Sequence, residues 1–431
     1  MTTAFDIELK QRLDALREQN LFRELRRVDS AQSPRIQIDG KPFLNFSSND
    51  YLGFANDPLL KDAAIEAVKK FGAGSGSSRL ICGSLAPHHE LEETLAQFKK
   101  TEAALVFSTG YAAAVGTISA LVGKDDIIII DKLVHASIVD AARLSGAKLR
   151  VFSHNDLDDL EKILKWAQKR AASILLADQR PKILIITESV FSMDGDFAPL
   201  KQIIALKEKY GAWLMVDEAH ATGIFGKNGR GFAEECGVSE QIEIQMGTLG
   251  KALGVSGGYV CGSRNLIDYL INRARSFIFS TAPVPAAAAA ATAAIRFIQS
   301  SAGEKRRNLL WKRLTQFRSK FGGGAMGSEF RVHAVGEPPE SGTPNLEIQV
   351  SEGSPIIPLI IGEENKALEI AAHLRTRGIF IPAIRYPTVA RGAARLRLTV
   401  TAAHTTDDVE QLCDALGKLE LGKHRTSNIE R

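Results

Sequence analysis

Short apolar runs alternate with amphipathic stretches through the middle of the chain, from about residue 57 to residue 297. The runs are Ala104–Phe107, Ile127–Ile130, Leu149–Phe152, Ile183–Ile186, Trp213–Val216 and Tyr259–Cys261. Strands that are apolar at every position and separated by helices are typical of a parallel sheet that is buried on both faces. The pattern therefore predicts an α/β fold with a mainly parallel sheet flanked by helices.

Two further helices are predicted on either side of this region. Leucines recur at near-helical spacing between Phe5 and Val28, which indicates an amphipathic helix at the start of the chain. Pro283 and Pro285 precede an alanine-rich stretch that ends near Phe297, and proline in a first helical turn is favoured. We expect this second helix to lead into another domain.

The pattern changes after about Ala302. A basic helix is followed by a predicted turn at Gly322–Gly324 and by three predicted strands, at Pro355–Ile361, Gly378–Pro382 and Arg395–Thr401. With 431 residues the chain is longer than one compact core usually supports. We predict an N-terminal helix and arm (1–56), a large α/β domain (57–302) and a smaller C-terminal α+β domain (303–431).

Composition excludes several classes of protein. The 54 basic and 50 acidic side chains give a net charge of only +4, which does not suit a nucleic-acid binder. The four cysteines lie far apart without a CxxC pair, so we expect no zinc site, no disulfide framework and a reducing cytoplasm. His88-His89 also lacks partners at metal-ligand spacing. No apolar stretch is long enough to predict a membrane span, and the acidic start does not resemble a signal peptide.

The first candidate for chemistry is the end of the apolar run Trp213–Val216. Asp217 follows this run directly, and His220 comes three positions later. Functional side chains in parallel sheets lie at the carboxyl ends of strands. A carboxylate there could bind a metal, orient a base or keep a pyridine nitrogen protonated, and it could also be part of a structural ion pair.

A lysine enclosed by glycines is the second candidate. Lys251 lies in Gly247-Thr248-Leu249-Gly250-Lys251-Ala252-Leu253-Gly254. Glycine allows backbone to approach a ligand closely, and a confined lysine loses its charge readily, as Schiff-base chemistry requires. A tight structural turn is the alternative interpretation.

Two other positions are less specific. Ser108 and Thr109 precede a helix of small residues, which predicts either an anion site at a helix start or an ordinary helix cap. His135 follows the Ile127–Ile130 run, where a lone histidine is more often a core residue than a catalyst.

Two familiar motifs do not fit their usual context. Gly254–Gly258 matches GxSxG around Ser256, but a nucleophile elbow should end a strand, whereas this segment leads into one. The Gly72–Gly76 cluster lacks GxGxxG spacing and no strand runs into it, so a dinucleotide site is not supported.

Taken in order, the helix-start hydroxyls, His135, Asp217 with His220, and Thr248 with Lys251 resemble the α-oxoamine synthases, a family of fold-type I pyridoxal-phosphate enzymes. The resemblance covers nearly the whole chain. It is strongest toward the members that use a pimeloyl thioester in biotin biosynthesis. The segments that carry this finer likeness are Asn45–Gly53, Val190–Asp196, Ile384–Val389 and Ala394–Thr399.

The resemblance implies a role for each residue of the cofactor site. Lys251 would hold pyridoxal 5'-phosphate as a Schiff base, and Asp217 would face the pyridine nitrogen. His220 would hydrogen-bond the ring oxygen, and His135 would lie over the ring face. Further residues implied to fix or line the cofactor are Ser192, Thr248, Gly110, Tyr111 and, from the partner subunit of a homodimer, Thr281.

The resemblance also implies substrates. Asn49 and Arg397 would hold the carboxylate of L-alanine, and Arg23 and Thr388 would contact the acyl substrate, a pimeloyl group carried by CoA or by an acyl-carrier protein. The implied reaction is a condensation with loss of carbon dioxide, in which the carbanion of alanine attacks the thioester. Arg395, Arg397 and Thr399 alternate along one strand and so share a face.

Departures from the family pattern leave alternatives open. Glu218 stands where aspartate is usual, Tyr386 where proline is common, and Ala390 replaces a proline. The setting of Lys251 also occurs in 2-amino-3-ketobutyrate CoA ligase, which uses glycine, and 5-aminolevulinate synthase and serine palmitoyltransferase rank after it. Outside the enzyme class, a catalytically idle acyl-carrier binding protein is the alternative, and a serine hydrolase at Ser256 is a further one.

Overall fold

The computed structural model describes residues 3–173, 181–321, 330–331, 347–348 and 353–419. The turn predicted at Gly322–Gly324 and the polar tail after Leu421 lie outside these ranges. Within them no helix is long and apolar enough to cross a membrane.

Helices and strands are numbered here in chain order. The helices are α1 (Ala4–Glu18), α2 (Pro58–Phe71), α3 (Ala86–Lys99), α4 (Gly110–Leu121), α5 (Ala136–Ser145), α6 (Leu157–Ser173), α7 (Leu200–Tyr210), α8 (Phe232–Cys236), α9 (Arg264–Arg273), α10 (Arg275–Ile278), α11 (Pro285–Ile298), α12 (Ser301–Phe321), α13 (Glu364–Thr376) and α14 (Thr406–Gly417). The strands are β1 (Arg35–Ile38), β2 (Lys41–Asn45), β3 (Ala103–Phe107), β4 (Ile127–Asp131), β5 (Lys148–Phe152), β6 (Ile183–Glu188), β7 (Trp213–Asp217), β8 (Ile244–Thr248), β9 (Gly258–Gly262), β10 (Phe330–Arg331), β11 (Glu347–Ile348), β12 (Ile356–Gly362), β13 (Ile379–Phe380), β14 (Ala383–Ile384) and β15 (Ala394–Thr399).

The described residues form two compact units. The larger unit combines Asn49–Ser192 with Asp196–Leu309. The smaller unit combines Met1–Ser48, Met193–Gly195 and Leu310–Arg431. The division of the chain into domains at residues 57 and 303 remains a prediction.

The larger unit is built on a seven-stranded sheet in the order β3-β9-β8-β7-β6-β4-β5. Strands β5, β4, β6, β7 and β8 pair in parallel, and β9 runs antiparallel to both of its neighbours. The predicted α/β architecture is confirmed.

Alternation along the strands supplies two separate cores. Ile128 and Ile130 of β4 belong to one buried apolar cluster, with helices α4, α5 and α9. Ile127 and Ile129 belong to another, with helices α6 and α7. Because successive side chains point to opposite faces of a sheet, an unbroken isoleucine run covers both faces at once.

The sequence located six of these seven strands within one or two residues and missed β8. The segment Ile244–Thr248 contains Gln245 and Gly247 in place of an apolar run. Gly247 is required there, because a Cβ at this position would lie 2.4 Å from the hydroxyl oxygen of Tyr259.

The smaller unit contains two sheets. Strands β10, β11, β12, β15 and β14 form an antiparallel sheet in that order, and β1, β2 and β13 form a second sheet. Strand β12 corresponds to the predicted strand at Pro355–Ile361 and β15 to that at Arg395–Thr401. The strand predicted at Gly378–Pro382 is reduced to the two residues of β13, which pair in parallel with β2.

The first helix is shorter than predicted. It ends at Glu18, because Asn20 takes a left-handed conformation (φ 55°) and the Leu21 N–H donates to the carbonyl of Leu16. This is the usual way in which a left-handed residue terminates a helix. The alanine-rich helix is confirmed as α11, with Pro285 in its first turn.

Candidate active site

The carboxyl ends of four neighbouring parallel strands carry polar residues. In the order of the sheet these are Asp131 on β4, Glu188 on β6, Asp217 on β7 and Thr248 on β8. Glu188 and Asp217 are direct partners in the register of β6 and β7. Parallel strands bring their carboxyl ends to one edge of the sheet, so the sheet itself assembles this row.

A cavity of about 190 Å³ opens at this edge in the larger unit. Seven of the residues predicted from the sequence line it: Gly110, Tyr111, His135, Asp217, His220, Thr248 and Lys251. The same cavity is also lined by Ser137, Glu188, Ala219 and Met246.

Asp217 is buried at the floor of this cavity. Its Oδ1 accepts the backbone N–H of Ala219 at 2.8 Å. Burial raises the pKa of the Asp217 carboxyl, while the positive charge of Lys251 and the bond from Ala219 act in the opposite direction. A cationic group placed beside such a buried carboxyl stabilises its charged form.

Lys251, His220 and Tyr51 form a continuous row of contacts. The Nζ of Lys251 lies 2.6 Å from Nε2 of His220, and the other ring nitrogen, Nδ1, lies 2.6 Å from the hydroxyl of Tyr51. Tyr51 is fully buried and His220 is 5% exposed. The lysine amine is therefore held within proton-transfer distance of an imidazole.

His135 is fixed at the N-terminus of α5. Its Nδ1 accepts the backbone N–H of Ser137 at 3.2 Å, and its own backbone N–H donates to Oε1 of Glu188 at 2.5 Å. Burial lowers the pKa of His135, against the opposing effect of the Asp217 carboxylate. A neutral imidazole of this kind suits stacking on an aromatic ring.

Sequence reasoning missed Glu188. It is 2% exposed and is the last residue of β6, one threonine beyond the apolar run Ile183–Ile186, as Asp217 is the last residue of β7. Burial, reinforced by the nearby Asp217 carboxylate, raises the pKa of Glu188 to about 8. The rule that identified Asp217 would have found Glu188, had it been applied to every predicted strand.

The start of α4 supplies a site for an anion. The Thr109 side chain caps the helix by accepting the Ala112 N–H at 3.0 Å, and Gly110 and Tyr111 are the first helical residues. The first N–H groups of a helix have no acceptor within it, and the helix dipole favours negative charge there. Both interpretations of Thr109, a cap and an anion site, are compatible with this geometry.

These groups fit pyridoxal phosphate. A lysine amine, a buried carboxylate, an imidazole and a helix start surround one cavity, and they match the cofactor's aldehyde, pyridine nitrogen, ring face and phosphate. Within the described part of the chain, no group of three or more His, Cys, Asp or Glu side chains could hold a metal ion.

Three predicted residues of the larger unit are not among those that line the cavity. Ser192 is partly buried, and its backbone N–H bonds to Glu188. Asn49 is also partly buried, with its Oδ1 3.5 Å from the Tyr51 hydroxyl. Thr281 is exposed and forms an isolated β-bridge with Ser78.

The remaining predicted residues belong to the smaller unit. Arg23 contacts the Thr388 hydroxyl at 3.3 Å, so these two proposed acyl contacts lie together. Arg397 is 6% exposed and donates to the Thr399 hydroxyl at 3.1 Å, which agrees with their predicted common face on β15.

GxSxG chemistry at Ser256 finds no support in the geometry. The segment runs directly into β9, which begins at Gly258, so a strand and not a helix comes next after the serine. A nucleophile elbow needs the opposite order of strand and helix.

A mainly parallel α/β sheet with a lysine and an aspartate at its carboxyl edge is the arrangement of a pyridoxal-phosphate enzyme. The chain belongs to the aminotransferase class I and II family, whose family model matches residues 41–416. Relatives narrow the family to the 8-amino-7-oxononanoate synthases: the protein of that name from Geotalea daltonii is 45% identical over 409 residues, which cover 94% of this chain and 96% of the relative.

Solved structures agree with this placement. A serine palmitoyltransferase from S. paucimobilis, with a bound PLP-myriocin aldimine, has a TM-score of 0.81 at 30% identity, covering 95% of this chain and 96% of that one. An 8-amino-7-oxononanoate synthase from Francisella tularensis has a TM-score of 0.68 at 28% identity, covering 87% and 97%.

Proposed function

We propose that this enzyme uses pyridoxal phosphate to condense L-alanine with a pimeloyl thioester, releasing carbon dioxide and forming 8-amino-7-oxononanoate for biotin biosynthesis. The observation that carries the proposal is the cavity in which the Lys251 amine lies 2.6 Å from His220, beside the buried Asp217. The identity to 8-amino-7-oxononanoate synthases over nearly the full length supports the choice of reaction.

The chemistry that pyridoxal phosphate supplies when bound is an electron-withdrawing ring that stabilises negative charge on the α-carbon of an amino acid. Lys251 would hold the cofactor aldehyde through its amine, and the same amine, when free, would take the α-proton of the bound amino acid. His220, at 2.6 Å, orients that amine.

Asp217 would face the pyridine nitrogen and keep it protonated. Its carboxylate is buried, so a positive charge placed next to it is stabilised more strongly than it would be in water. His135, whose orientation is set by Ser137 and Glu188, would pack on the cofactor ring. The N-terminus of α4 would hold the phosphate, and Ser192 and Thr248 would help to fix the cofactor.

The substrate-binding residues belong to the same proposal. Asn49 and Arg397 hold the alanine carboxylate, and Arg23 with Thr388 contacts the acyl chain, which CoA or an acyl-carrier protein delivers. We further propose a homodimer in which Thr281 of the partner subunit contacts the cofactor phosphate. The four cysteines are unpaired, which supports a reducing cytoplasm as the site of the reaction.

A substrate matrix tests the proposed reaction. Alanine, glycine and serine are each paired with acetyl, succinyl, palmitoyl and pimeloyl thioesters, and kcat/KM is measured for every pair. We expect alanine with pimeloyl thioester to be best, although one methyl group gives only about 1 to 3 kcal/mol of discrimination, so glycine should react slowly. A clear preference for glycine with acetyl-CoA would replace the proposal with the ketobutyrate ligase reaction.

Borohydride trapping tests the role of Lys251 separately. Reduction of the yellow enzyme followed by peptide mapping should label Lys251, and Lys251→Ala should abolish turnover. Label on a different lysine, or none at all, would refute the cofactor assignment. A fluorophosphonate should leave Ser256 unmodified.

A further inference from the structure

The hydroxyl of Tyr51 contacts His220 on the side of the ring that faces away from Lys251. The distance from this hydroxyl to Nδ1 is 2.6 Å, and Nε2 on the opposite side is 2.6 Å from the lysine amine. Both side chains are buried, so neither nitrogen exchanges its partner for bulk water without cost.

A rigid turn holds Tyr51 in place. The Asp50 carboxylate accepts the backbone N–H groups of Phe54 at 2.7 Å and Ala55 at 3.0 Å. The N–H of Gly53 donates to the Asp50 carbonyl at 3.0 Å, which closes the turn around Tyr51. The phenol therefore reaches His220 from a fixed direction.

Two hydrogen-bond directions are chemically available between these groups. A neutral imidazole carries one N–H and one lone pair, and a phenol can donate or accept. If Tyr51 donates to Nδ1, the imidazole proton must lie on Nε2, toward Lys251. The phenol is the more acidic partner, and another acceptor of its hydroxyl, Oδ1 of Asn49, lies 3.5 Å away against 2.6 Å for Nδ1, so donation from Tyr51 to His220 is the favoured direction.

We propose that Tyr51 is a positioning residue that sets the tautomer of His220, so that His220 presents Nε2–H as a proton donor on the side of Lys251. The catalytic meaning of this proposal rests on the proposed function, whereas the tautomer itself does not. A donor at Nε2 serves the uncharged form of the Lys251 amine, which is the form that reacts.

Other charged groups act on the lysine side of this row. Asp217, Glu188 and His135 each interact electrostatically with Lys251. Their charges would affect any pH profile measured at the lysine, so the direct readout is the protonation of the two nitrogens of His220.

The test is the nitrogen NMR spectrum of the full-length holoenzyme labelled with ¹⁵N-histidine. Nδ1 and Nε2 of His220, assigned by the loss of their signals in His220→Gln, report which nitrogen carries the proton. We expect the Nε2–H form to dominate in the parent enzyme, and Tyr51→Phe to shift the ratio of the two tautomers by about tenfold toward Nδ1–H.

Tyr259→Phe is the matched control. Tyr259 is also fully buried, and its hydroxyl lies 2.7 Å from the Thr222 hydroxyl, so this variant loses a buried phenol oxygen without losing a partner of His220. We expect it to leave the His220 tautomer ratio unchanged.

Kinetics supply the second readout. Tyr51→Phe should lower kcat about tenfold while KM for alanine changes less than about twofold, because a positioning residue acts on the proton transfer and not on binding. An unchanged tautomer ratio in Tyr51→Phe, a shift of equal size in Tyr259→Phe, or a doubly protonated His220 in the parent enzyme would each overturn the proposal. A failure of the proposed reaction would show instead as absent turnover in the parent enzyme, with the tautomer shift intact.

Discussion

Single residues at the edge of the sheet have protonation states that their neighbours determine. Glu188 and Asp217 are adjacent buried carboxyl groups, and two like charges in such a setting are not both stable. Burial and the nearby Asp217 carboxylate raise the pKa of Glu188 to about 8, so the proton on Glu188 should affect stability across neutral pH.

Glu188→Gln should flatten the dependence of stability on pH. The pKa of Glu188 rises to about 8 in the folded chain, above its ordinary value of 4.5. The stability that its proton contributes is fully present below pH 4.5 and is lost as the pH rises through 8. Urea unfolding of cofactor-free protein between pH 5 and about pH 9 should show a smaller loss in Glu188→Gln than in the parent chain.

Glu66, which forms a surface ion pair with Lys69, provides a control for this measurement. Its side chain is 71% exposed, so Glu66→Gln should leave the pH dependence of the parent chain in place. An equal slope in the parent chain and in Glu188→Gln would contradict the prediction.

His154 is expected to stabilise the fold most at low and neutral pH. Its Nδ1 lies 2.9 Å from Asp131 and its Nε2 lies 2.7 Å from Asp196. Burial lowers the pKa of His154, but the two carboxylates together raise it to about 10. The contribution is fully present below pH 6.5, the ordinary value, and is lost as the pH rises through 10.

Removal of His154 tests this sign. His154→Gln should cost about 2 to 4 kcal/mol of unfolding free energy at pH 6.5, because two carboxylates lose their cation. The cost should shrink near pH 10, where the parent histidine also loses its charge. The exposed His373 on α13 gives the control variant His373→Gln, and a cost for His154→Gln that grew with pH would show that the sign is wrong.

Most single residues proposed for the cofactor site could be predicted from the sequence, because local features mark them. Asp217, His220 and Lys251 each lie next to a strand end or a glycine-rich turn, and such local signals survive in a linear sequence. Tyr51 and Glu188 were missed in different ways. Glu188 had the strand-end signal, whereas the contact of Tyr51 with His220 joins residues 169 positions apart.

A buried ion pair links two elements of the larger unit. Lys99, the last residue of α3, places its Nζ 2.6 Å from Oε2 of Glu218, just after β7, and both side chains are 1% exposed. Oε1 of Glu218 accepts the backbone N–H of Ala233 at 2.9 Å. The two carboxylate oxygens of Glu218 therefore join the end of α3 to the start of α8.

Breaking this pair on one side should destabilise the protein strongly. Burial lowers the pKa of Lys99, but the Glu218 carboxylate more than offsets this and raises it overall, so the pair is charged. Lys99→Met leaves a buried carboxylate without its cation and should cost about 3 to 5 kcal/mol of unfolding free energy. The double variant Lys99→Met with Glu218→Gln should recover part of this loss.

An exposed pair gives the matched control for the lysine substitution. Lys165 and Glu161 are 3.1 Å apart, but the lysine is 57% exposed, so Lys165→Met should cost at most about 1 kcal/mol. Equal costs for the two lysine variants in urea unfolding would show that the buried pair has no special weight.

Elements were predictable where one pattern dominates. The isoleucine runs of β4 and β6 contain no competing signal, and both strands appear as expected. Strand β8 was missed because its apolar run is interrupted by Gly247. A glycine is required there, since any side chain would collide with Tyr259. The helix predicted through Val28 fails because the left-handed Asn20 ends it, and helical spacing of leucines does not reveal that conformation.

At the scale of the whole molecule, the smaller unit joins distant parts of the chain. Leu44 of β2 pairs with Ile379 of β13, more than three hundred positions away. Such long-range pairing leaves no local signature, because each strand is short and each could pair elsewhere. Of the eight strands that the structure describes in this unit, the sequence predicted only β12, β13 and β15, and it predicted none of the pairings.

The proposed homodimer makes its own prediction through complementation between subunits. If each site combines Lys251 of one subunit with Thr281 of the partner subunit, a mixed dimer of Lys251→Ala and Thr281→Asp chains has one site with both defects and one with neither. The aspartate would repel the cofactor phosphate, so each variant alone should be inactive at limiting cofactor.

Random mixing of equal amounts should restore about a quarter of the parent activity, since about half of the dimers are mixed and each keeps one intact site. Activity is measured after co-expression with two different affinity tags and purification on both, which should raise the value to about half. If Thr281 served its own subunit, every site in the mixed dimer would carry one defect, and the doubly purified protein would stay inactive.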